Sequence, residues 1–294
     1  MTTAFFFPKI KDYITLTKPR ITFFCLLMTA GGIGLSQGNK QVYLIIAALL
    51  GTALSVASAN IFNMIYENQT DKLMQRTKFR PLPMAKISLL SAFIFALILG
   101  LLSLFIFAFF INILTAILAL FAILSYSLIY TPLKYRTPLA LVIGAVPGAI
   151  PPLLGFTSFD NKITLSAVVF FGILFAWQIP HFIAICIFHD KDYENAGIKV
   201  VSLIRGNKVA KIQAFLWSVF LFVMSLLLYP LNQAGIFYLI TAFCLGIWYL
   251  ALALKGIKSQ NDYEWSRRFF YASLIYLPIL ILGLLFDRLF VYFF

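Results

Sequence analysis

Charge is scarce in this sequence. Asp, Glu, Lys and Arg together make up 11% of the 294 residues, only ten residues are acidic, and only two are histidines. A soluble domain carries roughly a quarter charged residues, so a cytosolic enzyme and a disordered adaptor are excluded. The three cysteines, Cys25, Cys186 and Cys244, lie in separate apolar runs with no CxxC or Cys/His spacing. That excludes a disulfide-stapled secreted domain and reads them as small buried hydrophobes. Apolar residues are abundant instead, at 62%, with a mean hydropathy of +0.95. These features predict an all-α, polytopic membrane protein.

A helix needs about 20 mostly apolar residues to cross a bilayer. Stretches free of Asp, Glu, Lys and Arg run over 21–39, 41–66, 87–133, 137–159, 163–189, 212–254 and 269–286. The third and sixth, with 47 and 43 residues, suit two spans and a turn each. The first of these is expected to fold back near Asn112, the second at the proline and glycine of Tyr229–Gly235. Nine helices result, over 18–37, 42–65, 88–109, 112–131, 138–158, 164–188, 211–230, 234–254 and 268–290, forming a single domain over 1–294. The first run has no clear small-residue cleavage site after it and is expected to be retained as helix one rather than removed as a leader.

Nine spans place 20 of the 23 Lys and Arg on one side, leaving only Lys40, Lys162 and Arg288 on the other. By the positive-inside rule the N-terminus is cytoplasmic and the C-terminus outside. The net charge of +13 reflects this asymmetry. No soluble basic domain exists to bind nucleic acid, whereas anionic headgroups or an anionic substrate at the cytoplasmic face fit the charge.

Half of the acidic residues fall in two clusters, Glu67 and Asp71, then Asp190, Asp192 and Glu194, in the most basic cytoplasmic loops. Asn63, Glu67 and Asp71 recur every four residues, which stacks them on one face if the second helix continues through them. Two carboxylates and an amide are hard oxygen ligands of the kind Mg²⁺ takes beside substrate phosphates. Lys72, Arg76, Lys78 and Arg80 follow, as a diphosphate site requires. A solvated helix end with flanking charges fits the same spacing. Gln178 and His181, inside the apolar span containing Trp177-Gln-Ile-Pro-His-Phe182, are expensive in lipid and predict an interior position. Either the histidine bonds a carbonyl freed by Pro180, or it lines the pocket of a large flat ligand. Pro147, Pro151 and Pro152 predict a broken fifth helix, a feature of transporters and of intramembrane enzyme pockets alike.

The motifs resemble those of the protohaem IX farnesyltransferase (haem O synthase) family of UbiA-type intramembrane prenyltransferases, almost end to end. They are Leu16-Thr-Lys-Pro-Arg20, Asn63-xxx-Glu67-xxx-Asp71-xxxx-Arg76-Thr-Lys-Phe-Arg80-Pro-Leu-Pro, Tyr130-Thr-Pro-Leu-Lys134, Gly144–Gly155, Trp177-Gln-Ile-Pro-His-Phe182 and Lys191-Asp-Tyr-Glu-Asn-Ala-Gly197. The sequence departs from the pattern at Glu67, where Asp is usual, and at Gln69, where a further Asp often stands. It also departs at Ile198-Lys-Val-Val-Ser-Leu203, which lacks two prolines and is expected to be a looser loop.

The resemblance implies transfer of a farnesyl group from farnesyl diphosphate to a vinyl group of haem B, giving haem O, with water supplying the hydroxyl. Haem is then a substrate, and Mg²⁺ the cofactor. It implies metal ligation by Asn63, Glu67, Asp71 and Asp192, with Tyr193 also catalytic. Arg76, Lys78, Arg80, Lys134 and Lys191 would bind the diphosphate, and Trp177, Gln178 and His181 would line the haem pocket. Haem A synthesis or haem-copper oxidase assembly would lie downstream. The expected location is the cytoplasmic (inner) membrane of a bacterium, with the site at the cytoplasmic face. A UbiA-type enzyme acting on an aromatic or quinone precursor is the nearest alternative, a secondary transporter a more distant one. Glu67 and Asp71, placed at the membrane rim, are expected to be replaceable at little cost in stability. Asp262, outside every motif, is expected to be dispensable.

Overall fold

A computed structural model describes residues 3–293, and the side chains of 10–287. Lys9 and Arg288, two of the cations in the charge asymmetry, lie outside the described side chains. Every regular element among the described residues is helical. The main ones are α1 (Thr3–Leu16), α2 (Pro19–Leu35), α3 (Val42–Asp71), α4 (Leu89–Ile111), α5 (Ile113–Leu133), α6 (Ala140–Asp160), α7 (Leu165–Phe188), α8 (Asn207–Leu226), α9 (Ile236–Lys258) and α10 (Asp262–Phe293). Eight of these, α3 to α10, are long and apolar enough to cross a membrane. The first expected span is α2, which is 17 residues long. Helix α1 has no counterpart in the sequence reading.

The turn chemistry anticipated at Asn112 is an N-cap: its side chain accepts from the Thr115 amide at 2.9 Å and donates to the Thr157 carbonyl at 2.7 Å. Helix α8 starts four residues before the expected 211 and ends at 226 rather than 230, and α10 starts at 262 rather than 268. In both, a charged first turn extends the helix beyond its apolar core, where a hydropathy window cannot see it. Helix α6 is interrupted at Ala149 (φ −97°, ψ 0°), between Pro147 and Pro151, as its proline density requires.

The chain forms two compact units. The first runs through Ile163 and takes in the later segment Lys191–Ile198. Its interior is built from small residues that let backbones approach, the means of helix association in lipid. On α2 and α6, a Cβ on Gly32 would lie 2.3 Å from the Pro152 carbonyl oxygen, and one on Gly155 would lie 2.2 Å from that of Thr29. The Thr29 hydroxyl also donates to the Pro151 carbonyl at 3.0 Å. On α3 and α4, Ser58 donates to the Ala96 carbonyl at 2.8 Å, and Ser103 to that of Gly51 at 2.7 Å. Leu16, Ile61, Met64, Leu82 and Ile87 complete an apolar cluster beneath the loop that follows α3.

The second unit comprises Thr164–Asp190 and Lys199 onward, and contains α7 to α10. Tyr249 stacks on Phe269, and Phe269 on Trp265. The Asp287 carboxylate caps α9, accepting from the amides of Gly235 (2.7 Å) and Tyr238 (2.9 Å). Both units carry many exposed large apolar side chains, among them Leu90, Leu101, Phe109, Val223 and Leu282. Such faces suit lipid rather than water.

Candidate active site

Helix α3 does not stop at the end of its apolar run. It continues to Asp71, so Asn63, Glu67 and Asp71 occupy successive turns of one face. They are 2%, 8% and 1% exposed. The solvated-helix-end reading therefore fails, because a flanking charge would stand in water. Buried charges must be paired, and each is. Lys134 bonds the Glu67 carboxylate, which also accepts from the Asn63 amide. Arg80 donates from Nη1 to both oxygens of Asp71. Lys18 donates to Asn63 Oδ1 at 3.2 Å, and Asn63 Nδ2 donates to Thr131 Oγ1 at 3.1 Å.

The local folds that deliver these groups are specific. Lys18 holds a left-handed conformation (φ +49°) immediately before Pro19, the first residue of α2. That region is unfavourable for a residue with a Cβ. Burial, with Arg80 nearby as the next cause, lowers the Lys18 ammonium to a pKa of about 8. The wide π-helical turn Ser125–Tyr130 ends α5's regular part, and Thr131 donates back to the Tyr126 carbonyl at 2.8 Å. It carries Thr131, fully buried, to Asn63 and Lys134 to Glu67. The Tyr135 ring lies 5.2 Å from the Lys134 ammonium, and its hydroxyl pairs with Thr70 at 2.7 Å. In the loop after α3, the Thr77 hydroxyl donates to the Asp71 carbonyl at 3.0 Å while Arg80 grips the Asp71 carboxylate. The Arg76-Thr-x-x-Arg80 spacing thus folds that loop around the end of α3.

Asp192 is 8% exposed, and its two oxygens accept from the backbone amides of Gln75 (3.0 Å) and Arg76 (3.3 Å). The second acidic motif therefore closes on the loop of the first. Arg76 is exposed and reaches Asp192 only through its backbone amide, and the Lys78 ammonium lies 5.0 Å from the Phe79 ring. Lys191 is exposed and Tyr193 half-buried. Of the expected residues, then, Asn63, Glu67, Asp71, Arg80 and Lys134 form one cluster, tied through the loop to Asp192. Lys18 and Thr131 belong to it as well and were missed as site residues, although both lie inside the motifs Leu16–Arg20 and Tyr130–Lys134. Their signal was a Lys and a Thr beside prolines at the mouths of apolar spans.

No group of three His, Cys, Asp or Glu side chains converges among the described residues. Mg²⁺ does not need one, since it commonly takes one or two carboxylates and completes its shell with water and substrate phosphates. Asn63, Glu67 and Asp71 supply a matching set of hard oxygens, and three cations, Lys18, Arg80 and Lys134, are bonded to them. The residues fit the metal.

In the second unit, Trp177, Gln178 and His181 are all buried, at 9%, 7% and 9% exposure. Trp177 Nε1 donates to the Ser273 carbonyl at 2.8 Å, and Gln178 to that of Leu174 at 3.1 Å. The His181 ring stacks on Trp177 with centroids 4.6 Å apart. Its Nδ1 lies 2.7 Å from Ser273 Oγ, so its partner is a hydroxyl of α10 and not a carbonyl freed by Pro180. Two further expectations need correction. Ile198, Val200 and Val201, in the segment expected to be loose, are buried, and Val201–Arg205 is helical. Asp262 pairs with buried Lys211 and accepts from Asn207 at 2.7 Å, so it has a structural role that no motif announced.

Residues 24–275 match the UbiA prenyltransferase family. A curated relative from Myxococcus xanthus (strain DK1622), named Protoheme IX farnesyltransferase, is 41% identical over 277 residues, which are 94% of each chain. Among solved structures, one described as giving insights into digeranylgeranylglyceryl phosphate synthase superposes with a TM-score of 0.80 at 21% identity, covering 95% of this chain and 98% of that one. A UbiA homolog from Archaeoglobus fulgidus bound to GPP and Mg²⁺ superposes with a TM-score of 0.65 at 18% identity, over 93% and 99%.

Proposed function

Since the chain belongs to the UbiA prenyltransferase family, we propose that it is a protohaem IX farnesyltransferase acting through the buried α3 face. Farnesyl diphosphate and haem B are the substrates and haem O the product. The observation that carries the chemistry is the packing of Lys18, Arg80 and Lys134 against Asn63, Glu67 and Asp71. Three cations against two carboxylates leave a small positive excess, which with Mg²⁺ suits a diphosphate. The near end-to-end similarity to a relative of that name supports the choice of substrates.

In the reaction, the C1–O bond of farnesyl diphosphate breaks and its electron pair leaves with the diphosphate. The π electrons of a haem vinyl group form the new C–C bond to C1. Water adds to the carbon left positive and loses a proton, giving the hydroxyl. Mg²⁺, when held by Asn63, Glu67 and Asp71, with Asp192 offering its remaining lone pairs, supplies positive charge beside the leaving group. Lys18, Arg80 and Lys134 do the same work as fixed ammonium and guanidinium charges, with Arg76, Lys78 and Lys191 at the rim. Groups already oriented toward developing charge cost no reorganisation in the transition state. Asp192, Lys191 and Tyr193 belong to the segment that holds the 72–80 loop in place. Trp177, Gln178 and His181 receive the haem, whose flat aromatic surface suits the Trp177 and His181 rings.

We assign the N-terminus and the site to the cytoplasmic side of a bacterial inner membrane, the C-terminus to the opposite side, and read the two units as one prenyltransferase domain, since the family match spans both. Haem A synthesis or haem-copper oxidase assembly would consume the product. Mass spectrometry of haems extracted from cells lacking their own synthase, after expression of this chain, tests the reading. A haem B plus hydroxyethylfarnesyl product is expected. Unmodified haem B alone, with prenylation of hydroxybenzoate in vitro, would overturn it.

A further inference from the structure

We infer that Ser273 is a positioning residue that fixes His181 in the Nδ1–H tautomer and so leaves Nε2 as the ligating nitrogen. This rests on the proposed use of His181 toward haem. The argument is one of proton count. A serine hydroxyl has a single proton, and Ser273 Oγ lies 2.6 Å from the Phe270 carbonyl oxygen, which can only accept. The hydroxyl proton is committed there. Toward His181 Nδ1, at 2.7 Å, the same oxygen must accept, so Nδ1 bears the hydrogen and Nε2 carries the lone pair.

Neighbouring aromatic rings hold the imidazole in place. Trp177 stacks on His181 at 4.6 Å and 20°, and Phe270 lies 4.9 Å away. Trp177 Nε1 donates to the backbone carbonyl of the same Ser273. Ser273 is fully buried, and both its backbone and its side chain are engaged by residues of α7. A histidine that binds iron or zinc typically has its other ring N–H held by an acceptor, which sets tautomer and ring orientation. Here the acceptor is a side chain of the fold itself.

The test reads the tautomer without haem, by ¹⁵N NMR of the histidine ring in the labelled full-length protein in detergent. Nδ1–H is expected in the wild type, and Nε2–H overturns the inference. Protohaem IX is then titrated and followed by its Soret band. Ser273→Ala should weaken binding about tenfold or more, the range seen when such outer partners are removed, and should mix the tautomers. Ser273→Thr should retain both properties. An unchanged spectrum and affinity in Ser273→Ala, or in His181→Ala, overturns the inference. Loss of the farnesylated product with the tautomer and haem spectrum intact would instead count against farnesyl transfer.

Discussion

Arg80 donates from one nitrogen to both oxygens of Asp71, at 3.1 and 2.8 Å, and Asp71 is 1% exposed. A carboxylate expected at the membrane rim is therefore a buried, charge-paired group, and the consequences of removing it change accordingly.

Asp71→Ala and Glu67→Ala should abolish turnover, and each should also destabilise the protein. Removing one member of a buried pair leaves the other without compensation, at a cost of about 3–5 kcal/mol. Arg80 keeps some exposure, so the lower end applies to Asp71. Thermal unfolding in detergent, measured beside turnover, checks both halves. Glu67→Asp should remain active, because it keeps a carboxylate for Lys134 and the metal. An active, fully stable Asp71→Ala would remove the assignment.

Lys18→Met should lower activity about 100-fold or more, on the scale of losing one fixed donor to a developing anion. It should also change how stability depends on pH. A lysine whose folded pKa lies near 8, below its usual 10.5, releases its proton in the native state before the unfolded chain does. Between those values the unfolded state binds more protons, so stability rises with pH across that window. Below about 8 the cost of burying the charge is present in full. Denaturation of the wild type and the variant at pH 7 and 10 should show the wild type gaining and Lys18→Met lacking this increment.

Asp262→Ala should leave kcat unchanged and lower stability by about 1–3 kcal/mol, the cost of a partner lost from a buried charged group. Lys211 is 3% exposed and would retain the Ser259 carbonyl, at 2.9 Å, as an acceptor. The double variant Asp262→Ala with Lys211→Met should recover part of the loss. A wild-type Tm in Asp262→Ala would show that the pair contributes nothing.

Gly155→Ala should destabilise by about 1–3 kcal/mol, as overpacking does, because its Cβ meets backbone that cannot rotate away. Gly34→Ala, where a Cβ meets nothing within 4 Å, should be tolerated. Comparing their melting temperatures checks the packing of α2 on α6.

The helical class and the rough positions of the spans were legible because hydropathy is a local property, summed over about 20 residues. The acidic and basic motifs were legible because helical spacing puts i, i+4 and i+8 on one face. Lys18 and Thr131 were not assigned, because what recruits them is contact with Asn63, 45 and 68 positions away. The same holds for Ser273, 92 positions from His181, and for Lys211 with Asp262. Long-range partners leave no trace in the periodicity of either segment. Helix α1 and the charged first turns of α8 and α10 were missed for a simpler reason, since a search for spans is blind to helix that lies outside them.

The two amides that Asp192 holds belong to Gln75 and Arg76, 117 and 116 residues earlier in the chain. Synthesis is vectorial, and a ribosome adding about 5–20 residues per second delivers those amides on the order of ten seconds before their acceptor. The first unit, by its own contacts, is complete only when Lys191–Ile198 has been made, after all of α7. A stalled or truncated chain ending between Arg80 and Asp192 carries an α3 with both its carboxylates and a loop without its clasp. The part left unfinished is the site itself, because Asp192 is the acceptor that closes its loop.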